Sequence, residues 1–347
     1  MVELAARRWF AALVCACACS FDSGGGAGGS DVGGDGSDEG PGTDATGTTA
    51  NTGATTTAAG SGEGSSGSAS SDATTASDDD SDGSTGGGTP PGARCPDPLP
   101  PGWIACFDFE GAAPTAGFSS FADDDGSLAV VPLDDGHALR VRHGPDTWSG
   151  ELWLRFGDGP PHDVIAQGDH RFDEVWVSMR VRTDAGWPGA APNHLVEVAA
   201  MDSQWQALAA VELYGLDADP RLDLRAKSCV VGGMVQCGAF PNGWSLLNPF
   251  ASATGNATIF DGSQADSWHC VELHARLAAT ATGAAELFVD DAPDATATSL
   301  DFLQGVDSSG WNLLHLDTWW GNAPARPVDS FIDGLVLSTE RAGCTVQ

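Results

Sequence analysis

Three consecutive runs hold most of the side chains that could move a proton or grip a carboxylate. Tyr214, the only tyrosine of the chain, closes ALAAVELYG. The next run, RLDLRAK, sets Arg221, Asp223 and Arg225 on one side, with Lys227, the only lysine, just beyond. The preceding run, HLVEVAAM, contributes His194 and Glu197. A phenol, imidazole or amine can take a proton from the carbon beside a carboxylate. A guanidinium or ammonium can neutralise that carboxylate as charge develops. These residue types therefore suit an elimination next to a uronate carboxyl group, with Tyr214 or His194 as base and Arg225 and Lys227 as cations. The plainer reading is that they are solvated strand faces.

A second stretch, LHLDTWWGN, places two tryptophans side by side. Neighbours on a strand point to opposite faces. Leu314, Leu316, Thr318 and Trp320 then share one face, and Leu313, His315, Asp317 and Trp319 the other. The first is the better core face. The second sets an aromatic plate beside two hydrogen-bonding groups, a mixture that ligand sites use. Trp319, Asp317 and His315 are accordingly the expected ligand-binding residues, against the plainer reading of a covered sheet edge.

Other chemistries are poorly served. No Glu-x-Asp-x-x-Glu run supplies paired carboxylates for glycoside hydrolysis. No phosphate loop or His-rich metal motif occurs, and no cofactor is expected. FDFEG puts Asp108 and Glu110 on one side of a first strand, and Asp333 lies in the last. If those strands are neighbours, their oxygens could hold a structural Ca²⁺. The acidic turn at Asp123 to Gly126 is a second such place.

The elements that must position these residues are strands. In VWVSMRVR, Val175, Val177, Met179 and Val181 alternate with Trp176, Ser178, Arg180 and Arg182; GELWLRF, WHCVELHARL and SFIDGLVLS show the same period of two. Gly, Pro, Asp and Asn fill the gaps as turns require. No long helical period and no internal repeat is present. Around a dozen strands predict an all-β, two-sheet antiparallel jelly-roll sandwich. Residues 227–266 show little strand pattern and read as a long loop stapled by two cysteines.

CFDFEG, WVSMRVRTDAGW, WHCVELHARL with GAAELFVDD, and SFIDGLVLS together resemble the concanavalin A-like lectin/glucanase jelly roll, which laminin G-like modules and several polysaccharide lyases share. The resemblance implies two stacked curved sheets with sugars bound on the concave face or its rim. WSGELWLRF also resembles the strand of alginate-type lyases that carries Arg-x-Glu-Leu-Arg. Glu151 and Leu152 match, whereas Trp148 or Ser149 stands at the first arginine.

The N-terminus carries Arg7 and Arg8, an apolar run from Trp9 to Ala18, and alternating cysteines. Such a run is too short for a permanent membrane span and reads as an export signal. It resembles a bacterial lipoprotein signal, in which Cys19 would be the lipid-modified residue; Cys17 also fits. Residues 1–19 are thus expected to be the signal. Residues 20–94, rich in Gly, Ser, Thr and Asp, have nothing to bury and are expected to form a disordered acidic linker. Residues 95–347 are expected to form the folded domain. The net charge of -33 disfavours nucleic acid and anionic membranes as partners.

Six cysteines lie beyond the signal: Cys95, Cys106, Cys229, Cys237, Cys270 and Cys344. An even number in an exported chain points to disulfides. Proximity suggests Cys95 with Cys106, Cys229 with Cys237, and Cys270 with Cys344, although sequence alone leaves every pairing open. The overall expectation is a monomeric protein, exported and lipid-anchored at the outer membrane or cell surface, whose jelly roll binds a polysaccharide or cell-surface glycan. A polysaccharide lyase is the alternative, and a structural module without a small ligand is the second alternative.

Overall fold

The computed structural model describes residues 95–344 apart from 124–125, 134–135, 145–149, 160–165, 217, 239–246, 318–319 and 322–323. Among these residues the structure is built from strands, as the alternation predicts. No helix among them is long and apolar enough to cross a membrane.

Two antiparallel sheets make the sandwich. The eight-stranded sheet contains β1 (Trp103–Phe107), β3 (Leu128–Leu133), β4 (Gly136–His143), β6 (Glu174–Thr183), β13 (His269–Arg276), β14 (Gly283–Val289), β15 (Ala292–Leu300) and β17 (Val328–Ser338). Its order is β15-β14-β13-β6-β17-β4-β3, and β1 pairs with the distal part of β17. The seven-stranded sheet contains β2 (Ser120–Ala122), β5 (Glu151–Arg155), β7 (Val196–Met201), β8 (Ala207–Gly215), β9 (Leu222–Ser228), β12 (Asn248–Thr254) and β16 (Leu313–Asp317). Its order is β12-β9-β8-β7-β16-β5-β2. A small hairpin, β10 (Val230–Val231) with β11 (Met234–Val235), follows β9. Many sheet neighbours are far apart in sequence, which gives the jelly-roll character.

The core lies between the sheets and is set by the period of two. Val175, Val177, Met179 and Val181 of β6 are buried in it, as are Val196 and Val198 of β7 and Val211 and Leu213 of β8. Leu314, Leu316 and Trp320 join the same cluster, so the face assignment for this stretch holds where it is described. A second apolar cluster, with Trp153, Ala199, Met201, Ala210 and Leu313, sits on the opposite face of the seven-stranded sheet. That sheet is therefore covered on part of both faces.

The three disulfides are Cys95–Cys106, Cys229–Cys237 and Cys270–Cys344, the pairing that proximity suggests. The reading of 227–266 as one long loop is corrected. β12 runs antiparallel to β9 as the edge of its sheet, with an irregularity between Pro249 and Ala251. The run NPFASAT hides its strand character because proline stands second in it and its last four residues are small. Both are tolerated at an edge, where one side of the ladder needs no partner. The proposed signal, Cys19 and the linker lie outside the described residues.

Candidate functional site

The seven-stranded sheet turns one face to the core and one away from it. Alternation puts Glu197 and Ala199 of β7, Ala210, Glu212 and Tyr214 of β8, and Asp223, Arg225 and Lys227 of β9 on the outer face. Register then brings them together. Glu197 lies opposite Glu212, and Glu212 opposite Arg225; Ala210 lies opposite Lys227, and Tyr214 opposite Asp223. Ala199 and Ala210 are small, which leaves room for the lysine side chain to lean over the next row.

Lys227 uses that room. Its Nζ is 3.1 Å from Glu197 Oε2 and 2.6 Å from Glu212 Oε2. The triad is dry: Glu212, Glu197 and Lys227 have relative exposures of 0%, 2% and 9%. Burial pushes the Glu197 carboxyl up, the neighbouring Glu212 charge adds to this, and Lys227 opposes both; the result is about 7. Burial also pushes Glu212 up, but a hydrogen bond from His194 and the Lys227 charge outweigh it and hold Glu212 down at about 2. Burial works against the Lys227 ammonium, yet its two carboxylates raise it above the ordinary lysine range. One ammonium thus faces a firm carboxylate on Glu212 and, on Glu197, a carboxyl that holds its proton more tightly than usual.

A half-buried layer sits beside this triad. His194 Nδ1 contacts Glu212 Oε1. An ionised carboxylate only accepts, so Nδ1 carries the hydrogen and Nε2 is the basic nitrogen of the neutral ring. The His194 ring meets Tyr214 edge-on, with centroids 5.1 Å apart. The Arg225 guanidinium lies 3.4 Å from the Tyr214 ring centroid. Its Nε is held by Asp223 Oδ2 at 2.9 Å, and Thr254 Oγ1 donates to Asp223 Oδ1.

His194 precedes β7, and its approach depends on Gly215 at the end of β8. Gly215 N donates to Pro192 O and Asn193 O, and Asn193 Nδ2 donates back to Gly215 O. A Cβ on Gly215 would stand 2.3 Å from Pro192 O and 2.4 Å from Ala191 O. The glycine lets the segment before His194 cross tightly over the strand that ends in Tyr214.

Tyr214, His194, Arg225 and Lys227 are therefore gathered, together with Glu197. Sequence reasoning passed over Glu212, whose signal was its place two residues before Tyr214, on the same face. Glu151 is not gathered: β7 and β16 separate its strand from β8, and its Oε2 accepts from Trp153 Nε1 at 3.2 Å. Arg221 pairs locally with Asp219.

His315 does lie on the outer face, between Trp153 and Glu197 in register. It is buried, and its ring meets Trp153 at 5.1 Å. It supports the floor beside the cluster rather than presenting an open ligand surface. Asp317 ends β16, but its side chain and the whole of Trp319 lie outside the described residues.

The three proposed calcium ligands are not brought together. Asp108 accepts from Cys95 N and Glu110 N, and Glu110 from His137 N and Nδ1. Asp333 is buried beside Arg180, which lies directly opposite it in register, just before the irregularity between Asp333 and Val336. β1 does pair with β17, as neighbouring first and last strands require, but these carboxylates are taken up by separate local partners. In the second acidic place, Asp123 Oδ1 caps Leu128 N; Asp124 and Asp125 lie outside the described residues. Among the described residues the one grouping with metal-ligand proximity is Cys270, Glu272 and Asp291. There the cysteine is in a disulfide, and Glu272 is held by Arg341 and Gly343 N.

No family model and no curated protein sequence matches this chain. Among solved structures, it is similar to an endo-β-1,4-glucuronan lyase from the fungus Trichoderma reesei, at 14% identity and a TM-score of 0.47, over 69% of this chain and 96% of that one. It is also similar to the alginate lyase vAL-1 from Chlorella virus (9% identity, TM-score 0.46, 69% and 100% covered). A third is the marine PL-14 alginate lyase from Aplysia kurodai (12% identity, TM-score 0.46, 69% and 99% covered).

Proposed function

We propose that the domain binds a uronate-bearing polysaccharide across the outer face of the seven-stranded sheet and cleaves it by β-elimination. The observation that supports this most is the convergence of a phenol, an imidazole and a guanidinium at Tyr214, His194 and Arg225, above a buried ammonium–carboxylate triad. A site that only held sugars would need hydrogen-bonding groups and an aromatic plate. It would not need an imidazole fixed in one tautomer against a tyrosine.

In this reading Arg225 grips the carboxylate of the sugar at the cleaved bond. Asp223 takes Nε, which leaves the terminal nitrogens of the fork for the substrate. Neutralising the carboxylate acidifies the neighbouring C5 hydrogen. His194 Nε2 removes that proton, and the electron pair forms the C4–C5 double bond. The C4–O4 bond breaks, and the Tyr214 hydroxyl delivers a proton to the departing oxygen. Glu212 stays ionised and stabilises the imidazolium formed on His194. Lys227 and Glu197 position Glu212.

Binding without cleavage is the second reading. It is favoured by the pairing of both cations with carboxylates already in the protein, Arg225 with Asp223 and Lys227 with Glu212. The test is the ultraviolet absorbance of unsaturated uronate ends, followed with glucuronan, alginate and polygalacturonate. Product that disappears in Tyr214→Phe and His194→Gln supports the lyase. Retention of a polymer with no absorbance rise would leave the binding reading in its place. Export and a lipid anchor on Cys19 belong to the same proposal, since they would hold the domain where such polymers are found.

A further inference from the structure

The eight-stranded sheet also has an outer face, remote from Tyr214. Arg140 of β4 and Arg182 of β6 lie on either side of Phe331 of β17, each directly opposite it in register. The Arg182 guanidinium is 5.0 Å from the Phe331 ring and 5.2 Å from the Trp268 ring, and Arg180 covers the same tryptophan at 4.6 Å. All of these residues are half-buried, so stems and rings pack while the charged ends meet solvent.

This chain has 48 acidic residues against 15 lysines and arginines. Carboxylates are abundant, and neighbouring arginines of the same sheet have one each: Arg142 with Asp329 and Arg180 with Asp333. Arg140 and Arg182 have no carboxylate partner among the described residues. Their Nε atoms are buried with no hydrogen-bond partner, and Arg140 reaches only the Gly126 carbonyl at 3.4 Å. Two guanidiniums without a carboxylate around an aromatic ring are a notable arrangement in a protein that could easily have neutralised them.

We infer that the Arg140–Phe331–Arg182 row, with Trp268 beside it, is a second docking surface, and that its occupant is an anionic polysaccharide. The net charge of -33 repels broad polyanionic surfaces such as duplex DNA or an acidic bilayer. A single narrow chain can instead lie within about a Debye length, ~8–10 Å, of the two cations. The half-buried ring of Phe331 between the cations, and that of Trp268 beside them, suit the apolar faces of sugars. The inference rests on the proposed function only for the class of polymer. It adds a non-catalytic grip on the opposite side of the domain.

Affinity electrophoresis of the full chain through gels containing polygalacturonate, dextran or duplex DNA tests it without requiring turnover. Polygalacturonate should retard the protein, increasingly as salt is lowered, and dextran should not. Arg140→Gln/Arg182→Gln should weaken the retardation about tenfold, the order expected when two exposed charged contacts are lost. Tyr214→Phe/His194→Gln should leave a salt-sensitive part that the arginine pair accounts for. Thermal unfolding of each variant shows that it is folded, and Arg140→Lys/Arg182→Lys, which keeps the charge, should rescue part of the binding. Undiminished retardation in the folded arginine variant overturns the inference. So does absence of retardation in the wild type, or retardation by duplex DNA in place of polygalacturonate. The absorbance assay reads the lyase proposal separately, so the two can fail independently.

Discussion

Replacing Lys227 by methionine removes the ammonium that Glu197 and Glu212 share while keeping most of the side chain's volume. Glu197 and Glu212 would then face each other from adjacent strands, both essentially inaccessible to solvent. Breaking a buried ion pair by removing one partner costs about 3–5 kcal/mol. The cost must depend on pH. In the wild type, Glu212 is lowered to about 2, so its contribution is present above the ordinary carboxylate range and is lost as pH falls toward 2. Glu197 is raised to about 7, so the native state holds a proton that the unfolded chain has released; stability then falls between about 4.5 and 7. From these two groups alone, stability is greatest near the ordinary carboxylate value. Without Lys227 both carboxyls are pushed upward, and each further unit adds about 1.4 kcal/mol to the loss on the alkaline side. Urea unfolding between pH 4 and 9 should therefore show a small deficit for Lys227→Met in acid and a large one above pH 7. Glu197→Gln in the same background should recover part of it. Because the chain has one lysine, reductive methylation gives a second readout: Lys227 should react only on unfolding. A loss under about 1 kcal/mol that is flat with pH, the figure for an exposed pair, would refute the dry triad.

The remaining predictions use other parts of the structure. Gly215→Ala should lower any activity more than it lowers stability, because its Cβ would collide with the carbonyls that lead into His194; steady-state rates beside a melting curve check this. Trp320→Ala should destabilise the domain by about 3–5 kcal/mol, the cost of deleting a buried large aromatic, measured by denaturant unfolding. It packs against Trp187 and His143, so Trp320→Phe should lose less. Cys19→Ser should release the protein from the membrane fraction, and mass spectrometry of the mature N-terminus should find acylation at Cys19 in the wild type.

Much of the site could be read from sequence because strands carry their faces with them. Tyr214, Arg225 and Lys227 were legible as outward residues of two successive runs, and successive strands of an antiparallel sheet are commonly neighbours. Glu212 was overlooked because one buried glutamate in an alanine-rich run resembles an ordinary polar position. Its importance comes from register, which sets it opposite both Glu197 and Arg225. Glu151 illustrates the converse. It matched a motif and lies on the correct sheet, but strand order places it too far across to join the cluster. β12 was lost to the loop because an edge strand need satisfy only one ladder, which weakens its sequence signature.

By itself, the sequence determined the class of the protein. The period of two separated core from surface along each strand, short spacing suggested Cys95–Cys106 and Cys229–Cys237 while leaving every pairing formally open, and composition marked where a folded domain could begin. Those features are local, because they follow from how neighbouring side chains point or from how short a closed loop is. Tertiary structure decided which distant strands lie side by side, and hence that His194, Glu212, Tyr214, Arg225 and Lys227 form one cluster. It also decided that Asp108, Glu110 and Asp333 do not form another, and that Arg140 and Arg182 flank one phenylalanine. Those outcomes depend on strand order and register. They arise from packing the whole sandwich around one core, so no short stretch of sequence contains them.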